Sequence, residues 1–314
     1  MFDVPILLVA FNRLEEVKAT LSAILAIQPK YLYVFSDGPR VSHKQDPKLI
    51  GTVREYIKDN VPAYCSLNMI ESPVNVGCDL AVVTGLNAVF ENHEKAIILE
   101  DDCLATKSFF YFCDVLLTRY QLDGRVGMIT GTNHVSPQTD HIDYFFSRNF
   151  ACWGWATWKR AWQYQDISMS WREKEDEKNI IDNIGYGFWS KLHYQICLRL
   201  IDDEKVEAWD WQWYFSLASQ NMLCIFPNNN LVHNIGFNDL ATHTFWYKRK
   251  YKVDINANYL NNKMKLDDKK YVVPNYEFDK KFVIQKHFPT LFKYILPKKL
   301  KSLVKRKFGH YVKS

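Results

Sequence analysis

Hydrophobic positions in the first hundred residues follow two alternating periods. Pro5 to Phe11 is an unbroken apolar run, as a strand buried on both faces requires. Behind it, Leu14, Val17, Leu21, Ile24 and Leu25 recur on one helical face. Tyr31 to Phe35 reads as a second strand, closed by the turn signal Ser36-Asp37-Gly38-Pro39. Residues 46–59 read as a helix, 65–71 as a strand, Pro73 to Gly77 as a loop, 79–92 as a helix and Ala96 to Leu99 as a strand. This order predicts an α/β fold with a mostly parallel, doubly wound sheet and helices on both faces. Ligands of such sheets bind at the carboxyl ends of the strands, where the strand order reverses.

The pattern loosens after residue 103. A helix is predicted over 106–120 and a strand over 126–131, followed by the tryptophan-rich stretch Cys152 to Trp162. Residues 165–183 are charged and read as a surface excursion. Helices near 186–203 and 209–220 lead to a strand at 222–226 and a polar loop from His233 to His243. Residues 246–314 are Lys-rich. The organisation expected is one domain in two halves, 1–103 and 104–245, with 246–314 as a basic C-terminal extension.

Composition narrows the class. A hydrophobic share of 47% suffices for a sizeable core in 314 residues. The ten tryptophans suit either core filling or the apolar faces of sugar rings. Seven scattered cysteines without a C-x-x-C pair fit a reduced, cytoplasmic compartment. No run approaches the ~18–20 apolar residues of a spanning helix, so a soluble or peripheral protein is expected. The net charge of +5 is local, and no nucleic-acid motif accompanies it. Residues 298–314 carry seven Lys or Arg and no acid, with Leu300, Leu303, Val304, Phe308 and Tyr311 on one helical stripe. That is either a basic amphipathic helix for an anionic membrane surface or a solvated terminal helix.

The candidate chemistry sits where Ala96 to Leu99 runs into Glu100-Asp101-Asp102. Three adjacent acids repel one another, so a cation or donor groups must offset them. Mn²⁺ or Mg²⁺ would do so, taking further ligands from substrate phosphates. In an extended segment, Glu100 and Asp102 share one face and Asp101 points to the other. Arg13 follows the first strand and can pair with phosphate oxygens. Asp37 can accept from a base or ribose, or serve as the Asp of an Asx turn before Gly38. Asn75, in the short Asn75-Val-Gly77 loop, is a further nucleotide-sugar candidate. No P-loop occurs, and residues 10–16 lack the glycine-rich loop that a sugar-nucleotide pyrophosphorylase carries after its first strand.

These segments resemble the family of eukaryotic N-acetylglucosaminyltransferase I and related bacterial glycosyltransferases of the GT-A fold. The resemblance rests on Pro5-Ile-Leu-Leu-Val-Ala-Phe-Asn-Arg13, Phe35-Ser-Asp-Gly38, Ile97-Ile-Leu-Glu-Asp-Asp102, Phe109-Phe-Tyr-Phe112, Trp153-Gly-Trp155 and Ala208-Trp-Asp-Trp211. It implies a metal-dependent, inverting transferase using a UDP-sugar such as UDP-GlcNAc and a glycan or lipid-linked glycan acceptor, in bacterial surface polysaccharide synthesis at the cytoplasmic membrane face. It implies Asp102 as metal ligand, Asp101 at the ribose, Glu100 in support, Asp37 at the uracil and Arg13 near the nucleotide. Asp210 would be the catalytic base, lined by Trp209, and the loop with His243 would order over the donor. Trp211 stands where the family has a second acid, and residues between the second strand and the acids match poorly.

Without the resemblance, Asp210 could equally cap the helix starting near 209. Trp209, Trp213 and Leu217 have the spacing of that helix's core face. His243 and, with less support, His233 could complete a Mn²⁺ shell. Trp153 and Trp155 could stack on sugars or pack. The alternatives are a non-catalytic carbohydrate-binding protein and a sugar nucleotidyltransferase.

Overall fold

A computed structural model of the chain describes residues 1–133, 135, 143–174, 176–203, 209–236 and 266–287. The apolar runs become strands whose alternate residues serve opposite faces. In β1 (Ile6–Ala10), Ile6, Leu8 and Ala10 enter one core and Leu7 the other. β1 lies between β2 (Tyr31–Ser36) and β4 (Lys95–Glu100), both parallel to it, and β2 carries β3 (Ser66–Glu71) as a parallel edge. α1 (Leu14–Leu25) and α2 (Asp46–Asn60) cover one face through Val17, Leu21, Val53 and Ile57. α3 (Gly77–Asn92) covers the other through Ala81, Val82, Leu86 and Val89.

The second half continues the same sheet. β8 (Trp155–Trp158) runs antiparallel between β4 and β6 (Val126–Thr130), and β6 pairs in parallel with β9 (Leu223–Pro227). β7 (Tyr144–Ser147) closes the edge against β9, giving the order β3-β2-β1-β4-β8-β6-β9-β7. α4 (Lys107–Arg119) packs its phenylalanines on the face shared with α1, and α8 (Trp209–Ser219) packs on the face shared with α3. The sheet is therefore mixed, mostly parallel and covered by helices on both faces, as the hydrophobic pattern predicts.

Four elements depart from the sequence reading. Short β5 (Cys103–Ala105) and β10 (Val232–Asn234) pair antiparallel beside the end of β4. Three-residue strands leave too little periodicity to read. The charged stretch is not all surface: α6 (Glu177–Ile184) buries Ile180, Ile181 and Ile184 against α7 (Phe188–Asp202) and α8, a third apolar cluster. Part of the Lys-rich remainder also belongs to the core. α9 (Tyr276–Phe282) is capped by Asn275 and buries Phe278 and Phe282 on Phe226. Its Asp279 is fully buried, accepting from Ser147 Oγ, Asn149 Nδ2 and Tyr186 Oη, which fixes α9 to the end of β7. Among the described residues no helix is long and apolar enough to cross a membrane. The basic stretch 298–314 lies outside them.

Candidate functional site

The site begins where β4 leaves the sheet. Ile97, Ile98 and Leu99 are fully buried, so the acids that follow are carried to the sheet's carboxyl edge. The chain then turns at Asp101-Asp102 before β5, and this corrects the expected alternation. Asp101 and Asp102 do not point to opposite faces; both converge on Arg13, at the start of α1. Asp101 pairs with the Arg13 guanidinium and also accepts the Phe11 N–H at 3.3 Å, and Arg13 Nη1 donates to Asp102 Oδ2 at 2.9 Å. Thr20 Oγ1 holds the Asp101 carbonyl at 2.8 Å. The donor groups that offset the cluster thus come from this chain.

Asp102 is held from its other side by the β10 end. Asn234 Nδ2 donates to its Oδ1 at 3.3 Å, and the Ile235 N–H donates to its carbonyl at 2.9 Å. Gly236 passes so close that a Cβ there would lie 2.2 Å from Asp102 Oδ2. Only glycine permits that approach.

Glu100 is half-buried with no guanidinium of its own. Burial, aided by Asp102 and Asp101, pushes its carboxyl up to about 8. Burial also raises Asp101, to about 6, against the opposing pull of Arg13. Asp210, in the first turn of α8, is the third raised carboxyl, pushed by burial to about 6. Its charge is felt by Glu100, so the fold brings together two acids 110 positions apart in sequence. Cys152 lies between them: its Sγ is 3.8 Å from Asp210 Oδ2, and its thiol is raised by burial and by both carboxylates. Among the described residues no Lys or Arg pairs with Asp210. The Trp209 N–H instead donates to Asp79 Oδ1 of α3 at 3.1 Å, tying the start of α8 to the N-terminal half.

Asp37, Asn75 and Trp209 take structural places. Asp37 follows β2 and is saturated: Oδ1 accepts from the Gly38 and Val76 N–H groups, and Oδ2 from Gly77 N–H and Asn75 Nδ2. Four donors occupy the lone pairs that a base or ribose would need. The Asx-turn reading describes it, extended into a staple on the start of α3, where Gly77 adopts φ +80. Asn75 also donates to the Gly38 carbonyl. Trp209 is 5% exposed and stacks on Trp155 at 5.5 Å, so both indoles are core. Trp153 is half-buried against the first core cluster.

A hard divalent cation needs only one or two protein carboxylates when phosphates supply the rest. Asp102 Oδ2 accepts from Arg13 and its Oδ1 from Asn234, and the described residues hold no group of three His, Cys, Asp or Glu placed to bind a metal. His233 sits in β10 opposite Leu104, and His243 lies outside the described residues. Sequence reasoning missed Cys152, Asp79, Asn234 and Gly236. It also missed Arg54, whose guanidinium binds the carbonyls of Ser36, Asp37 and Ser72 and so pins the ends of β2 and β3. None of these carries a local motif.

No protein-family model and no curated protein matches the chain. Several solved structures do. HddC from Yersinia pseudotuberculosis aligns at 12% identity over 51% of this chain and 78% of its own, with a TM-score of 0.30. A UDP-glucose pyrophosphorylase complexed with UDP-glucose aligns at 10% identity over 47% and 64%, with a TM-score of 0.27. The 4-diphosphocytidyl-2C-methyl-D-erythritol synthase of Anaerococcus prevotii aligns at 9% identity over 50% and 71%, with a TM-score of 0.31. None of these three is an N-acetylglucosaminyltransferase. Likeness at this level carries no argument about reaction. The mixed α/β architecture, an eight-stranded sheet between helices, rests on the strand order itself.

Proposed function

We propose that this protein is an inverting glycosyltransferase that moves a sugar from a UDP-sugar to a hydroxyl of a glycan or lipid-linked glycan. The observation that supports this best is Asp210: a half-buried carboxylate that no described cation pairs with, near enough to the acidic end of β4 for its charge to act on Glu100. Such a group accepts a proton near neutral pH more readily than an ordinary aspartate does. The acceptor oxygen forms its bond to the anomeric carbon as its proton passes to Asp210. The bond from that carbon to the diphosphate breaks, and its electron pair leaves on the diphosphate oxygen.

Arg13 is the cation nearest the leaving group in this reading. On donor binding its guanidinium exchanges part of its carboxylate contacts for phosphate oxygens, a bidentate match. Asp101 is then available to the ribose, and Glu100 supports the sugar from behind. Asp102 is the carboxylate that would hold Mn²⁺ or Mg²⁺ together with the donor phosphates. The ion would supply charge neutralisation on the departing diphosphate. UDP-GlcNAc is the first donor to test. Placement at the cytoplasmic membrane face through residues 298–314 is part of the same proposal.

A second reading is a sugar nucleotidyltransferase, the class of the aligned UDP-glucose pyrophosphorylase. Residues 10–16, without a glycine, weigh against it. One assay separates the two. With UDP-sugars, Mn²⁺ and a panel of hydroxyl acceptors, the proposal expects release of UDP. With nucleoside triphosphates and sugar 1-phosphates, the second reading expects release of pyrophosphate. Pyrophosphate without UDP would reverse the assignment.

A further inference from the structure

A cavity of about 530 Å³ opens at the other end of α8, away from Asp210. Ala218 and Ser219 of α8 border it, eight residues along the helix from Asp210, a separation of about 12 Å at 1.5 Å per residue. Its volume falls within the range of small-molecule sites, roughly 300–1,000 Å³.

The lining decides the ligand chemistry. Among the described residues no Lys, Arg or His borders the cavity, so a phosphate or carboxylate would meet no counter-charge from them. A metal ion is no better served by them. The Asp166 carboxylate is already engaged by Ser168 Oγ and by the N–H and Oγ of Ser170, and Asp176 is the other acid among the described lining residues. What remains is amides and aromatics: Asn179, Asn183, Gln220 and Asn221 beside Tyr164 and Trp171. Asn183 Nδ2 donates to Asn221 Oδ1, which leaves the Asn183 carbonyl as an acceptor and the Asn221 amide as a donor. A sugar hydroxyl both donates and accepts, and neighbouring hydroxyls on a ring can meet such a pair. The Trp171 Nε1–H is buried without a partner.

The walls are also held in unusual backbone. Met169 and Asn221 have φ of 51 and 56, two of the three non-glycine residues with positive φ among the described residues. Asparagine tolerates that region, but methionine does so at a cost. The Asp166 clamp on Ser168 and Ser170 brackets Met169, and the Trp171 ring rests on Phe215 at 5.7 Å. The wall is therefore fixed before any ligand arrives.

We propose that this cavity is a second binding site, for a neutral saccharide, separate from the Asp210 centre and independent of the reaction assigned to it. The ring's apolar face lies against Trp171 or Tyr164 and its hydroxyls meet the Asn183–Asn221 pair.

The test is calorimetry on the full chain with cellotriose, chitotriose, mannotriose and galactotriose as probes, and with inorganic phosphate and Mn²⁺ as controls. Saccharide binding is expected for at least one probe. Asn183→Lys, which fills the cavity, and Asn179→Ala, at its exposed rim, should each weaken it about tenfold or more. Both variants should keep the wild-type unfolding midpoint within a few degrees, and Asp210→Asn should bind the saccharide as the wild type does. The proposal is overturned if no probe binds, or if binding survives both cavity variants. It is equally overturned if the saccharide signal is lost in Asp210→Asn, which would place the sugar at the reaction centre. Because the readout is binding, failure of the glycosyltransferase reading would leave this result intact.

Discussion

At the end of β4, Asp101 and Asp102 share the guanidinium of Arg13; at the start of α8, no cation among the described residues pairs with Asp210. The residue types are the same, and the environments push them to different tasks. The first pair is a charged, hydrogen-bonded cradle fixed by Arg13, Phe11, Thr20 and Asn234. The second accepts the Trp211 N–H at 2.9 Å and lies beside Cys152, and burial raises it to about 6, as it does Asp101. A cradle with a built-in cation suits binding and charge compensation, and a raised carboxylate that no described cation pairs with suits proton transfer. Glu100 stands between them, buried enough to be raised and without a guanidinium of its own.

The comparison breaks first at Arg13. Arg13→Ala leaves two acids at a buried turn without their cation, and removing one member of a buried pair costs about 3–5 kcal/mol. With Arg13 24% exposed on its side chain, the low end of that range is expected in urea unfolding. Adding Asp101→Asn should recover part of the loss; if it recovers none, the pairing is not what Arg13 contributes. Next, Gly236→Ala forces a Cβ into Asp102 Oδ2, and overpacking of this kind costs about 1–3 kcal/mol. UDP binding should weaken with it, as thermal shifts with UDP would show. Asp37→Ala removes a staple on the start of α3 and should cost about 1–2 kcal/mol, in the range of a lost helix cap. Because Asp37 is already saturated by four donors, nucleotide affinity should change little once the loss of stability is allowed for. A large, selective loss of UDP affinity would return Asp37 to the base-binding role.

The smallest effect is on pH dependence. Asp210 ionises at about 6 in the folded chain and near 4 in the unfolded one. Between those values the folded state holds more protons, so stability falls as pH rises through 4 to 6. Asp210→Asn should flatten that part of the curve. Asp46, which Arg40 first of all holds down to about 2, acts in the opposite sense, stabilising above pH 4 and losing that contribution as pH falls toward 2. Melting curves from pH 2 to 8 for wild type and Asp210→Asn separate the two.

The first hundred residues were legible because each element had its own period: Pro5 to Phe11 could only be a buried strand, and Leu14 to Leu25 only a helix. Arg13, Glu100, Asp101 and Asp102 could be named because strand ends mark them, and Asp210 because Ala208-Trp-Asp-Trp211 carries the family resemblance. What pairs with them could not. Arg13 meets Asp101 only because β1 and β4 are neighbours, and Asp79 meets Trp209 only because α3 and α8 share a face. β5 and β10 are too short to show a period, and α9 hides in a lysine-rich stretch whose buried residues are few. Trp209 illustrates the reverse: its spacing with Trp213 and Leu217 already placed it in the core, and the structure keeps it there.

The central claim is that Asp210 takes the acceptor's proton. The direct test is turnover and donor affinity of Asp210→Asn, measured with the UDP-sugar and acceptor that support wild-type UDP release. Loss of a general base is expected to lower turnover by about 10²–10⁴-fold while the dissociation constant for the UDP-sugar stays near the wild-type value. Turnover close to wild type, with donor binding intact, would contradict the account.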